Sequence, residues 1–363
     1  MTRRYGLFAV AFLGAFLGTA GLTRAQNPQP KMPVVRVRVN MVQLDVAVTD
    51  KRGYYVTGLT PYNFAVFEDH IRQKIATFGE EDQAPRKLEE FKRRAGRPLL
   101  VKPFSVKHPE PQTEEIDSSG AGSRVFILFD TSNYMYRGFV YAQDAIDAFV
   151  RYLDPRDRVA FYSYSRDVSR MCRLTSVRSK VLRSVRRTVA GDDAALYDAL
   201  LLTLKDAGEF SGRRVVVVFS NGPDNASMVS PEEVRELAQS EGIPIYMVST
   251  RKAEDDPISS AIFKHMTVAT GGKAYFAGQW KDQEKAFASI RDDLAHLYTL
   301  SYYPQPNPNL GWRSITVRLV GKGLKKFHVR TRTGYLPRVA AFGSMTSAAP
   351  ESGTAPITSL ARP

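Results

Sequence analysis

Residues 124–135 read RVFILFDTSNYM. An unbroken apolar run that stops at an acid and two hydroxyl residues marks a strand buried on both faces, with oxygen donors at its end. RVAFYSYS, RVVVVFSN, IPIYMVST and KAYFA, further along, have the same continuous character. Helical stripes lie between them. YAQDAIDAFVRYL sets Ala142, Ile146, Phe149 and Val150 on one face. SVRSKVLRSVRRTV sets Val177, Val181, Leu182, Val185 and Val189 on one stripe, with Ser176 placed to cap it. AALYDALLLTLKDAG, SPEEVRELAQSEG and DQEKAFASIRDDLAHL complete the series, and Ser230, Pro231 and Glu233 form a capping box. Alternation of this kind predicts an α/β domain over 124–296, a doubly wound, mostly parallel sheet of Rossmann-like type.

The flanks change period. In PVVRVRVNMVQLDVAVTD (33–50), Val35, Val37 and Val39 alternate with polar residues, then Val42, Leu44, Val46 and Val48 do so after a slip at Asn40-Met41. Residues 51–53 form a turn, and NFAVFED and QKIATFGEE read as strands. After His296 come LYTLSYYP, RSITVRLV and KKFHVRTR, with GKG at 321–323 read as a hairpin turn. Each flank alone is small for a sandwich. Pooled, they supply about seven strands, which predicts an immunoglobulin-like β-sandwich (34–81 with 297–336) into which the α/β domain is inserted. The charged, Pro/Gly/Ser-rich stretch 82–123 reads as a linker, and the Ala/Ser/Thr/Pro-rich residues 337–363 as a disordered tail.

At the start, Arg3 and Arg4 precede an apolar run from Leu7 to Leu22, and Thr23 and Ala25 stand before Gln26. This is the pattern of a secretory signal peptide over 1–25, with an uncleaved membrane anchor as the competing reading. It predicts a secreted, periplasmic or cell-envelope protein with no membrane span after cleavage. The formal charge of +14 falls to +11 without Arg3, Arg4 and Arg24. Cys172 is the single cysteine, which excludes an intrachain disulfide, and SRMCRL reads as a setting for a buried, inert thiol.

Open parallel sheets bind ligands at the carboxyl ends of their strands. Three loops could lie there: DTSNY (130–134), GDDAALYDAL (191–200) and SNGPDN (220–225). With ILFDTS, ALYDAL, VVVVFSNG and the terminal VRTRTGYLP, the chain resembles the von Willebrand factor A (VWFA) family over roughly residues 34–336. More closely, it is similar to exported VWFA-related proteins of acidobacterial type. The resemblance implies a metal-ion-dependent adhesion site built from Asp-x-Ser-x-Ser, a threonine before the Leu-Tyr-Asp-Ala helix, and an aspartate in a Ser-Asp-Gly turn. Such a donor set suits a hard divalent cation such as magnesium, with a vertex left for a ligand carboxylate. Asp130 and Ser132 match. Tyr134 stands for the second serine, Ala194 for the threonine and Asn221 for the aspartate, so the expectation is a degenerate site. Asp192, Asp193 and Asp224 are the neighbours that could compensate, although Asp192 or Asp193 could equally cap the helix, which Asp198 helps to start.

No other chemistry stands out. His70, His108, His265, His296 and His328 are scattered, without an HExxH pattern or a Cys/His cluster. There is no G-x-S-x-G elbow, and TGGKA (270–274) reads as a helix-ending glycine pair. The expectation is therefore a protein without catalytic residues or resident cofactor, a divalent cation being the one candidate. It would be an adhesion or interaction module that binds a protein partner through the top of the α/β domain. The alternative is a basic protein that binds an anionic envelope polymer, through the helix face of Arg178, Lys180, Arg183, Arg186 and Arg187. Nucleic acid is not an expected partner.

Overall fold

The computed structural model describes residues 41–80, 85–88, 91, 99–101 and 122–337. The signal segment, the first valine triplet and the tail lie outside these residues. Ahead of the α/β region come β1 (Val42–Thr49), β2 (Tyr55–Thr57), β3 (Phe64–Glu68), β4 (Ile71–Gln73), β5 (Ile75–Glu80), β6 (Arg86–Lys87) and β7 (Leu99–Val101). The last two fall inside the stretch read as a linker, where β6 pairs with β5 and β7 with β2.

The region then runs β8 (Arg124–Asp130), α1 (Phe139–Tyr152), β9 (Arg158–Tyr164), β10 (Val168–Thr175), α2 (Arg178–Arg186), α3 (Leu196–Gly208) and β11 (Arg214–Phe219). It continues with α4 (Pro231–Glu241), β12 (Ile245–Ser249), α5 (Pro257–Thr270), β13 (Ala274–Phe276) and α6 (Trp280–Ala295). The sheet order is β10-β9-β8-β11-β12-β13, parallel throughout except for β10, which runs antiparallel to β9 at the edge. Strand order reverses between β8 and β11, which puts the switch point beside Asp130.

Both faces of the sheet are covered, as the continuous apolar runs require. Val125, Ile127, Phe129, Val217 and Phe219 pack with residues of α1, α2 and α6. Phe126, Leu128, Val216 and Val218 pack with residues of α3, α4 and α5.

Three local expectations are corrected. Cys172 sits half-buried on β10, an edge strand that lacks a continuous apolar run. In α2 only Val181 and Val185 are fully buried; Val177 and Val189 lie outside the helix and are exposed, and Ser176 makes no cap. The basic face is also partly neutralised. Arg186 pairs with Asp144 and Asp147, and Arg178 donates to the Asp154 carbonyl. The Ser230 capping box and the αL glycine after α5, Gly271, are present.

After α6 come β14 (Tyr298–Tyr302), β15 (Arg313–Leu319), β16 (His328–Arg330) and β17 (Gly334–Tyr335). β14 inserts between β5 and β1, β16 also pairs with β1, and β15 lies between β3 and β17. The two flanks thus share a seven-stranded and a four-stranded sheet, with one core that includes Leu44, Phe64, Phe78, Tyr298, Leu300 and Val317. GKG is not a hairpin turn, because β15 and β16 belong to different sheets and residues 321–327 carry the chain between them.

The β flanks meet the α/β region at the amino-terminal edge of its sheet. Arg213, just before β11, donates to the carbonyls of Leu294 and Leu297 and to Thr299 Oγ1. Arg332 donates to the carbonyls of Gln239 and Gln43, and Arg330 to that of Gly271. Asp293, fully buried at the end of α6, accepts from Tyr55, Lys273 and Arg330. The carboxyl edge of the sheet lies opposite this junction.

Candidate functional site

β8 ends at Asp130 because its apolar run ends there, and the carboxyl is fully buried at the switch point. Oδ1 accepts the Ser132 N–H at 2.9 Å, and Oδ2 accepts the Ser220 hydroxyl at 2.8 Å. Tyr164 at the end of β9 donates to Ser220 Oγ at 3.1 Å, and Gly222 N–H donates to it at 3.2 Å. Gly222 has φ of 115°, and a Cβ there would meet Ser259 Cβ at 2.9 Å, so the turn after β11 requires glycine. Among the described residues, no cationic side chain forms an ion pair with Asp130. Burial pushes its carboxyl above the usual carboxylate range, against the lowering influence of the Ser132 and Ser220 donors.

The three loops are tied to one another. Thr131 N–H and Oγ1 both donate to the Tyr164 carbonyl, Gly191 N–H to the Thr131 carbonyl, and Asn133 N–H to the Asp192 carbonyl. Asn225 Oδ1 accepts the Ala194 N–H at 2.7 Å, and Asn225 Nδ2 reaches Asp193 Oδ1 at 3.2 Å. Asp224 is engaged by its own loop and by α3: it accepts Ser227 N–H and Oγ and the Tyr197 N–H. It is therefore Asp224, with Ser227, that satisfies the amino end of α3; Asp192 and Asp193 do not cap it. Asp198 in turn holds the Met228 and Val229 N–H groups.

Asn221 is the most informative substitution in the set. Its Oδ1 accepts from Thr250 N–H at 2.8 Å and Thr250 Oγ1 at 2.5 Å, and Nδ2 donates to the Tyr134 carbonyl at 3.2 Å. The amide spans the gap between the first loop and the end of β12. An aspartate could not make the Tyr134 link, because it has no donor there.

The donor set for a divalent cation can be counted from this geometry. Ser132 Oγ is buried and finds no hydrogen-bond partner among the described residues, which makes it a free oxygen beside Asp130. Against that, Ala194 offers a buried methyl group, the Asn221 oxygen is already taken, and the Asp193 and Asp224 carboxylates are engaged elsewhere. Asp130 and Ser132 remain, with the exposed Asp192 carboxylate as the one further candidate, fewer protein oxygens than the near-octahedral shell of magnesium takes. The described residues hold no group of three or more His, Cys, Asp or Glu side chains placed to bind a metal.

The structure thus brings together Asp130, Ser132 and the turn of Asn221 and sets Tyr134 beside them, whereas the Asp193 and Asp224 carboxylates serve loop and helix architecture and Asp192 enters through its backbone carbonyl. Sequence reasoning overlooked Ser220, Tyr164, Thr250 and Asn225. Ser220 directly precedes Asn221 and could have been noticed; Tyr164 and Thr250 carry no local signal.

A doubly wound sheet with three linked loops at its switch point, the first opening on Asp-x-Ser, defines the class of α/β domain present here. Residues 125–289 match the family model of the von Willebrand factor type A domain. Among solved structures, the chain is similar to BatB from Bacteroides thetaiotaomicron, at 16% identity over 47% of this chain and 98% of that one, with a TM-score of 0.41. It is also similar to an aerotolerance-related membrane protein from Bacteroides fragilis NCTC 9343 (16% identity, 48% and 98% covered, TM-score 0.42). A third is the vWF domain of the type V pili tip protein Mfa5 from Porphyromonas gingivalis (16% identity, 28% and 38% covered, TM-score 0.27). Likeness at this level says nothing of partner or activity. No curated protein matches the chain. Among the described residues, no helix is long and apolar enough to cross a membrane.

Proposed function

We propose that this chain is an exported, non-catalytic interaction module of the cell envelope or its exterior. It binds a protein partner through the top face of its von Willebrand factor A domain, at an adhesion site that has lost part of its donor set. The reading of the flanks as an immunoglobulin-like sandwich around an inserted domain, and of the chain as a VWFA-related protein of acidobacterial type, belongs to the same proposal. One observation carries it. The β flanks occupy the amino-terminal edge of the sheet, while the opposite edge presents three cross-linked loops beside exposed Tyr136 and Tyr141. The hydrogen bonds of Asn221 support the degenerate reading, because they join the loops in a way that needs no cation. The polyanion alternative draws less support, since Arg178 and Arg186 of the basic helix face are engaged within the fold.

A photo-crosslinking residue at Asn133, on the top face, should trap a partner protein from an envelope extract, equally in magnesium and in chelator. The same probe at Lys322, in the β flank, should trap none. Trapping from Lys322 alone would place the partner on the β flank. Retention that vanishes at moderate salt, with no protein trapped, would favour the polyanion reading.

A further inference from the structure

A groove of about 930 Å³ opens on the top face beside Asn221. One wall is the segment from Asn133 through the first turn of α1, with Tyr134, Tyr136, Arg137 and Tyr141; the other includes Thr250 and Arg251 after β12. Among the described residues that line it there is no aspartate or glutamate. Arg137 and Arg251 have no ion-pair partner among the described residues, and what sets them apart from other such arginines is that they share one groove. Tyr136 and Tyr141 are 75% and 63% exposed, far beyond what rings of that size need for packing within the domain. The walls are held in place: Asn221 links the Tyr134 carbonyl to Thr250, and a Cβ on Gly138 would lie 3.4 Å from Thr250 Oγ1.

Two guanidinium groups without ion-pair partners, in a groove whose described lining holds no acid, attract carboxylates, which they can grip through paired N–H donors. Tyrosine and arginine are also the side chains that most often dominate protein interfaces, because each combines a large contact area with directional polar atoms. A polyanionic polymer needs a long basic track, and this groove offers two arginines among aromatic rings. We propose that the groove takes an acidic segment of a protein partner, with its carboxylates on Arg137 and Arg251 and its flanking side chains on Tyr136 and Tyr141. This deepens the proposed function and rests on it: guanidinium groups supply the positive charge that a cation supplies in a complete adhesion site, and the Asn221 amide keeps the groove open for it.

The test is to pan the full chain against a random-sequence peptide display library and measure the enriched peptides on variants. Enriched peptides should carry Asp or Glu and bind Arg137→Ala/Arg251→Ala roughly tenfold or more weakly, as expected for loss of charged hydrogen bonds. They should bind Lys180→Ala/Arg183→Ala, which loses the same charge elsewhere, as they bind the parent. Peptides that ignore the groove arginines but are lost in Tyr136→Ala/Tyr141→Ala would overturn carboxylate recognition and leave the top-face reading intact. Equal binding to every variant would overturn both. Failure to enrich acidic peptides, together with heparin binding that depends on the two arginines, would assign the groove to a polyanion and refute the proposal.

Discussion

Replacing Asp293 by alanine should lower the stability of the chain by about 3–5 kcal/mol, the usual penalty for removing one member of a buried ion cluster. Its carboxylate is fully buried and accepts Tyr55 OH at 2.6 Å, Arg330 Nη2 at 2.6 Å and Lys273 Nζ at 3.2 Å. Those donors come from β2, β16 and the residue just before β13, so a single side chain joins the α/β region to both flanks. Burial alone would raise the Asp293 pKa, but Arg330 and Lys273 outweigh it and hold the carboxyl below the usual range. A depressed folded-state pKa contributes stability at pH values above the unfolded one, about 4, and that stability is lost as pH falls through the folded value. The parent should therefore weaken in acid below about pH 4 through this group, and Asp293→Ala should lack that component. Urea unfolding across the acid range measures both. A loss within about 0.5 kcal/mol, the size of an ordinary surface change, would contradict the junction described here.

Glu68→Ala should cost a comparable 3–5 kcal/mol, for a different reason. Glu68 ends β3 in the amino-terminal flank, fully buried, and all three of its partners belong to the carboxyl-terminal flank. Arg313 donates to Oε1 at 2.8 Å, and the Tyr302 and Tyr335 hydroxyls donate to Oε2, each at 2.9 Å. Alanine would leave a guanidinium and two phenols in the core without their acceptor. Glu68→Gln keeps the shape and one acceptor oxygen and should cost less. If alanine and glutamine variants unfold at the parent's urea midpoint, the two flanks are not held together through this cluster.

The parallel strands were legible because both faces of each are buried, so RVFILFD and RVVVVF contain no polar alternation to confuse with a surface strand. β10 was missed for the converse reason. It is an edge strand with half-exposed residues and two register shifts against β9, which leaves no regular period. Pairing between the flanks was readable from strand number and the small size of each half. The sheet crossing at 321–327 was not, because a Gly-Lys-Gly turn looks the same within a sheet or between two sheets. In the site, Asp130 and Ser132 were visible as a motif at a strand end. The role of Asn221 was hidden, since its partners Thr250 and Tyr134 come near only once β11 and β12 are side by side. Nothing local singled out Arg213, Arg330 or Asp293, because periodicity does not reveal the junction that they form.

The central claim is that the top face is organised by hydrogen bonds through Asn221 and does not depend on a tightly held divalent cation. Calorimetric titration of the full chain with magnesium, manganese and calcium tests it most directly, with Asp130→Ala as the reference. The account predicts no saturable binding at low metal concentration, and the same trace for parent and variant, because Asp130 and Ser132 alone leave a cation mostly water-coordinated. Saturable binding at low metal concentration that disappears in Asp130→Ala would contradict it.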